Sequence, residues 1–130
     1  MSAADNKAIL HRYAEEVWNQ GNLAVVDEVL APNVVMQVPG APAIRSREDF
    51  RTFVSQLRTS FPDMQWTVKD MVAEGDLVAI HWTFRDTHRR EFLGLAPTGK
   101  VVTITATNFY RLRGGPIEQA WGDMELSGLQ

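Results

Sequence analysis

Apolar positions early in the chain recur with the period of an α-helix. Leu10, Tyr13, Ala14, Val17 and Trp18 stand at i, i+3, i+4, i+7 and i+8, one continuous stripe. Asp5 is the expected N-cap, and Asn19-Gln20-Gly21-Asn22 supplies the stop. A second, short helix is expected with Leu23, Val26 and Leu30 on one side, ended by Pro32-Asn33. Residues 34–38 then read as a short strand, and Pro39-Gly40-Ala41-Pro42 as a loop. Ser46 is the expected N-cap of a third helix, with Asp49 completing a shortened capping box. Phe50, Phe53, Val54 and Leu57 give that helix its buried face, and Phe61-Pro62 closes it.

From Met64 the period changes from 3.6 to 2. Residues 65–72 form the next expected strand, with Ala73-Glu74-Gly75-Asp76 as a turn, and residues 77–87 the one after. Ile80, Trp82 and Phe84 alternate with His81, Thr83 and Arg85, so one face is apolar and the other polar. Residues 101–112 alternate too, Ile104, Ala106, Asn108 and Tyr110 against Thr103, Thr105, Thr107 and Arg111. Arg113-Gly114-Gly115-Pro116 reads as a hairpin turn, and residues 117–126 as the last strand. Helices first and strands afterwards is an α+β plan. Three N-terminal helices covering a curved antiparallel sheet of four or five strands would enclose a pocket. The length of 130 residues fits a single domain over the whole chain.

Composition narrows the chemistry. A hydrophobic fraction of 45% with 22% charged residues is that of a globular chain with a core. Zero cysteines exclude a disulfide framework, a thiolate metal site and a cysteine nucleophile. A net charge of -3 argues against nucleic acid as partner. No apolar run approaches the roughly 18 residues of a membrane span, and the first residues lack a signal-peptide pattern. The expected location is the cytoplasm.

Several motif-like features carry little. Gly94-Leu95-Ala96-Pro97-Thr98-Gly99-Lys100 has the spacing of a phosphate-binding loop, but Val101 stands where Ser or Thr should hold magnesium. The residues after it are β-rich rather than helical, so the loop is expected to be a long turn beside the pocket. His11, His81 and His88 do not share a metal-binding spacing, and neither a metal nor a cofactor is expected. Arg85, His88, Arg89 and Arg90 form a short basic run interrupted by Asp86 and followed by Glu91, expected to be a solvated rim.

The stretch His11-Arg12-Tyr13-Ala14-Glu15-Glu16-Val17-Trp18-Asn19-Gln20-Gly21-Asn22-Leu23 resembles the opening helix of nuclear-transport-factor-like α+β cone proteins. Trp82-Thr83-Phe84-Arg85-Asp86-Thr87-His88, running on to Glu91-Phe92-Leu93-Gly94, is similar to the SnoaL-like branch, whose named members are polyketide cyclases. Ile117-Glu118-Gln119-Ala120-Trp121 and Glu125-Leu126-Ser127-Gly128-Leu129 fit the same branch. The resemblance implies a cofactor-free intramolecular aldol closure. In that reaction a pocket carboxylate removes a proton beside a carbonyl and polar partners steady the enolate.

Residue by residue, the resemblance sets Gly122 where the cyclases carry their catalytic Asp, with Asp123 next to it as the candidate base. Alternation places Gly122 with Ala120, Met124 and Leu126 on the apolar face and Asp123 with Trp121 and Glu125 on the other, so a β-bulge is needed to turn Asp123 inward. Asn108 matches a polar pocket position, and Met36 stands where the cyclases have Asn. Tyr13 resembles the enolate-binding tyrosine of ketosteroid isomerases, but Met36-Gln37-Val38 lacks the carboxylate those enzymes need on the first strand. His88 matches a common position at a strand end, where it either acts at the pocket mouth or orders the loop that follows.

The expected catalytic set is therefore Asp123 with Asn108 and Tyr13 as oxyanion donors and His88 as an auxiliary group. Trp18, Trp82, Phe84 and Met36 are expected as walls around a small apolar or aromatic ligand. Two alternatives stay open. One is a non-catalytic ligand-binding or dimeric interaction module. The other is a hydrolase or dehydratase built on Asp86, Asp123 and Glu125. Trp121, beside the threonine-rich face of residues 101–112, points to a homodimer.

Overall fold

The structure, a computed structural model, describes residues 2–37, 42–89, 91 and 96–127. Helix α1 spans Ala3–Arg12, and its N-cap is Ser2 rather than Asp5. The Ser2 hydroxyl accepts from the Asp5 amide while the Asp5 carboxylate accepts from the Ser2 N–H, a reciprocal pair that satisfies two orphan donors. The helix does not stay α through Trp18. Tyr13–Asn19 is π-helical, with the Gln20 amide bonded to the Glu15 carbonyl. The apolar stripe of the sequence survives this widening, since Tyr13, Ala14, Val17 and Trp18 are all buried.

The widened turn frees carbonyls that other elements then take. Arg58 donates through Nη1 to the carbonyls of Trp18 and Asn19 at 2.7 and 3.3 Å. The chain escapes at Gly21 with a φ of 69°, and a Cβ there would stand 2.8 Å from Arg58 Nε. A 3₁₀ turn at Leu23–Val25 leads into α2, Val26–Val29, and β1 follows at once as Leu30–Met36. The sequence reading placed Leu30 in the helix and let Pro32-Asn33 end it. Parallel pairing to the last strand overrides that boundary: Leu30 aligns with Ile117, and Pro32 and Asn33 sit exposed where the register shifts. The third helix, α3, runs Arg47–Ser60 with the Ser46 hydroxyl accepting from the Asp49 amide.

The remaining strands are β2, Trp66–Glu74; β3, Leu77–Thr87; β4, Val101–Leu112; and β5, Ile117–Ser127. They form one sheet in the order β1-β5-β4-β3-β2, antiparallel except for the parallel β1–β5 pair. Alternation holds in β3 and β4. Val78, Ile80, Trp82 and Phe84 are buried together with Val102, Ile104, Ala106 and Tyr110, against the helices. No helix among the described residues is long and apolar enough to cross a membrane.

Polar contacts tie the first helix to the sheet along its β2 side. The Asn6 side chain donates to the Gly75 carbonyl in the β2–β3 turn. The Asn19 amide accepts from the Trp66 N–H at 2.6 Å and donates to the Trp66 carbonyl at 3.0 Å. On an edge strand those two backbone groups have no further strand to meet, so a side-chain amide serves as the missing neighbour.

Candidate functional site

Between the helices and the concave face of the sheet lies a cavity of about 80 Å³. Its walls are aromatic: Tyr13 and Trp18 from the first helix, Phe50 and Phe53 from α3, and Trp66, Trp82 and Tyr110 from the sheet. Their rings meet edge-on or tilted, with centroids 4.7 Å apart for Trp66–Trp82 and 5.5 Å for Tyr13–Tyr110. Exposed Gln37 and half-exposed Trp121 stand at the rim, where pairing of β1 with β5 ends.

Of the expected site residues, Tyr13, Trp18, Met36, Trp82 and Asn108 line the cavity. Phe84 does not. It packs behind Trp66, between that indole and Phe61. His88 also lies elsewhere, fully buried and stacked on Phe61 at 5.6 Å. Its backbone bonds both Lys100 and Gly99, and its Nδ1 lies 3.3 Å from the Thr98 hydroxyl. That arrangement ties the two ends of the segment between β3 and β4, which is the loop-ordering alternative. Lys100 enters a strand and not a helix, and residues 92–95 of the phosphate-loop-like motif lie outside the described residues.

Asp123 is exposed and pairs with Thr107 on the outer face of the sheet, away from the cavity, while Met124 lines it. The carboxylates of the hydrolase alternative are not brought together either. Asp86 accepts from the amides of Asp63 and Thr87 at the far end of β3, and Glu125 is exposed. Among the described residues, no carboxylate, imidazole or ammonium lines the cavity. No group of His, Asp and Glu among them could hold a metal ion.

Gly122 explains why a neighbouring acid cannot simply move over. It pairs with Asn108 across the sheet at a φ of 156°. A Cβ there would stand 2.1 Å from the Thr107 carbonyl oxygen and 2.8 Å from both Cα and Nδ2 of Asn108. The space next to position 122 is filled by β4 itself. Asn108 is the polar group this leaves in the wall. Its Oδ1 accepts from the Trp82 indole at 2.7 Å, so Nδ2 is the donor it has to offer.

The other polar groups in the walls are donors too. Burial pushes the phenols of Tyr13 and Tyr110 above the ordinary tyrosine range. The closeness of the two phenols opposes the shift in Tyr13 and adds to it in Tyr110. The Trp18 N–H comes near the Tyr13 oxygen but outside hydrogen-bonding geometry, and the Trp66 N–H has no partner among the described residues. Sequence reasoning missed Trp66, Tyr110 and Phe50 as lining residues. Their signal was present in strand alternation and the α3 stripe, which mark a buried face without distinguishing core from cavity wall.

Helices closing the concave side of a curved sheet over an aromatic-walled cavity define an α+β cone protein. The chain belongs to the SnoaL-like polyketide cyclase family, whose model matches residues 8–130. It is similar to IdmH of Streptomyces antibioticus, a candidate polyketide cyclase, at 34% identity over 96% of this chain and 93% of that one, with a TM-score of 0.76. It is also similar to AclR of Streptomyces galilaeus, a candidate hydroxylase, at 28% identity over 95% and 91% of the two chains, with a TM-score of 0.79. A candidate SnoaL-like polyketide cyclase from Jannaschia sp. CCS1 shares the fold with a TM-score of 0.86, at 22% identity over 95% and 87% of the two chains. No curated protein matches the sequence.

Two predictions follow from this geometry. Gly122→Ala forces a Cβ into the β4 backbone and should cost about 3 kcal/mol or more of unfolding free energy, read as a lowered urea midpoint. Removing the Asn108 side chain as well should not restore stability, because the Thr107 carbonyl still blocks the site. The second concerns the chain's 2 tyrosines, both buried. Below about pH 10 both phenols are neutral folded or unfolded, and their contribution is fully present. Above it only the unfolded chain ionises freely, so stability should fall by about 1.4 kcal/mol per pH unit for each tyrosine. Phenolate absorbance should rise together with loss of near-ultraviolet circular dichroism. Ionisation near pH 10 with the fold intact would contradict the burial.

Proposed function

We propose that this chain binds a small, flat, carbonyl-bearing ligand in the cavity and acts as a binding member of its family, without a protein carboxylate as base. One observation carries this reading: the described residues lining the cavity offer hydrogen-bond donors and apolar rings but no carboxylate or imidazole. Aromatic walls select a flat apolar body, and donors such as Asn108 Nδ2 select an oxygen acceptor on it. Proton abstraction beside a carbonyl needs a base within hydrogen-bond reach, and Asp123 faces the other way.

The second reading is a cofactor-free ring closure, as the family's description implies. It is favoured by the 34% identity to a candidate cyclase and by Asn108 and Tyr13, whose donors suit a developing enolate oxygen. The base would then come from the ligand or from water. Calorimetric titration with aromatic ketones, followed by chromatography and mass spectrometry, separates the two. The expected result is saturable binding with the ligand recovered unchanged, and Asp123→Asn binding within twofold (roughly, for a surface change) of the natural sequence. Conversion to a cyclised or dehydrated product overturns the binding-only reading.

The outer face of the sheet supports a second copy of the chain as partner. Phe109 and Trp121 stack there at 5.9 Å, with the Arg111 guanidinium over the indole, and Phe109 remains 39% exposed. Light scattering at micromolar concentration should give twice the chain mass, and Trp121→Ser should shift the protein to monomer. A monomer for the unaltered chain removes the dimer.

A further inference from the structure

The cavity holds more donors than its own acceptors can use, and the excess is concentrated at one end. Trp18 and Trp66 both line the cavity and are only 5% and 7% exposed. Neither indole N–H has a hydrogen-bond partner among the described residues. The third indole of the wall differs, because Trp82 donates to Asn108 at 2.7 Å. A buried N–H without a partner is costly, and an indole can only donate. Two such groups in neighbouring rings, 6.0 Å apart between centroids, therefore call for an acceptor from outside the chain.

Their neighbourhood is built to hold them in place. The Trp66 backbone is fixed on both its N–H and its carbonyl by the Asn19 side chain. The carbonyl of Trp18 is fixed by Arg58 at 2.7 Å. Trp18 stands edge-on to Phe50, Phe53 and Trp66, and Trp66 packs on Trp82 and Phe84. Neither ring can swing out to satisfy its N–H in water without breaking this packing. Tyr13 does not supply the acceptor: its oxygen lies near the Trp18 N–H without reaching hydrogen-bonding geometry.

We infer that the indole N–H groups of Trp18 and Trp66 form an oxygen-acceptor subsite at the β2 end of the cavity, which selects ligands carrying a carbonyl oxygen over isosteric hydrocarbons. The inference rests on the reading of the cavity as a ligand site and adds which residues read the oxygen. Asn108, at the β5 side of the cavity, is a separate donor. A ligand with two carbonyl oxygens at opposite ends of a flat body satisfies both places.

The test uses the full chain and two probes of matched shape, acetophenone and ethylbenzene. Acetophenone should bind about tenfold more tightly, the value of one well-made hydrogen bond. Trp66→Phe keeps an aromatic ring and removes the N–H, so the ratio of the two affinities should shrink several-fold, whatever the change common to both probes. Nitrogen-15 spectra of the 4 tryptophan indoles give a readout independent of any variant's stability. Acetophenone, and not ethylbenzene, should move the Trp18 and Trp66 N–H protons downfield, with the Trp82 signal as the already bonded reference. Equal affinity for the two probes, with equal indole shifts, overturns this inference and leaves the ligand site standing. Binding of neither probe overturns both. A water molecule that bridges the two indoles and stays in place at saturating acetophenone, seen by cross-relaxation to both N–H groups, also overturns it.

Discussion

The Asn19 side chain, bonded to both backbone groups of Trp66, is the contact on which the rest of this architecture depends. It joins the end of the first helix to the free edge of the sheet, and through that junction it fixes how far apart helix and sheet can lie. Asn19 reaches the edge strand from the end of a π-helical turn that Arg58 stabilises through the carbonyls of Trp18 and Asn19. π-Helical turns are uncommon and persist where neighbouring groups take up the displaced backbone bonds. Here that group is Arg58 of α3, and with the Asn19 side chain on β2 three elements meet at one point. The aromatic rings on either side, Trp18 and Trp66, inherit their positions from it.

The same geometry decides the chemistry of the cavity. Aromatic rings from helix and sheet line it, and the Trp18 and Trp66 N–H groups in its wall are donors without an acceptor among the described residues. The two buried phenols are protonated at neutral pH, as any tyrosine is, and burial pushes their ionisation to still higher pH. Gly122 removes the remaining route to a carboxylate on β5, since β4 fills the space a side chain would need. Among the described residues, none of the side chains lining the cavity is a carboxylate, an imidazole or an ammonium.

Much of the fold was legible in the sequence. Strict alternation in β3 and β4 predicted both their extents and their buried faces, because a sheet with one face in the core leaves no freedom of register. The helix stripe and the Ser46 cap were legible for the same reason: local pattern and tertiary burial agree. The first strand was not. Pro32-Asn33 reads locally as a break, and parallel pairing with a strand more than eighty residues away overrides it. The N-cap was misplaced by three residues, since Ser2 and Asp5 cap each other and either reads as a cap by itself.

By itself, the sequence determined the order of helices and strands, the apolar face of each and the absence of any cysteine chemistry. It also placed Asp123 on the polar side of its strand, against the role that family resemblance offered it. Tertiary structure decided which buried residues are core and which are wall, sending Phe84 and His88 away from the cavity and bringing Trp66 and Tyr110 to it. The reason is physical: periodicity reports the direction a side chain points, whereas a cavity exists only where two surfaces fail to meet. That failure depends on the spacing between helix and sheet, and contacts such as Asn19 with Trp66, 47 positions apart, set it.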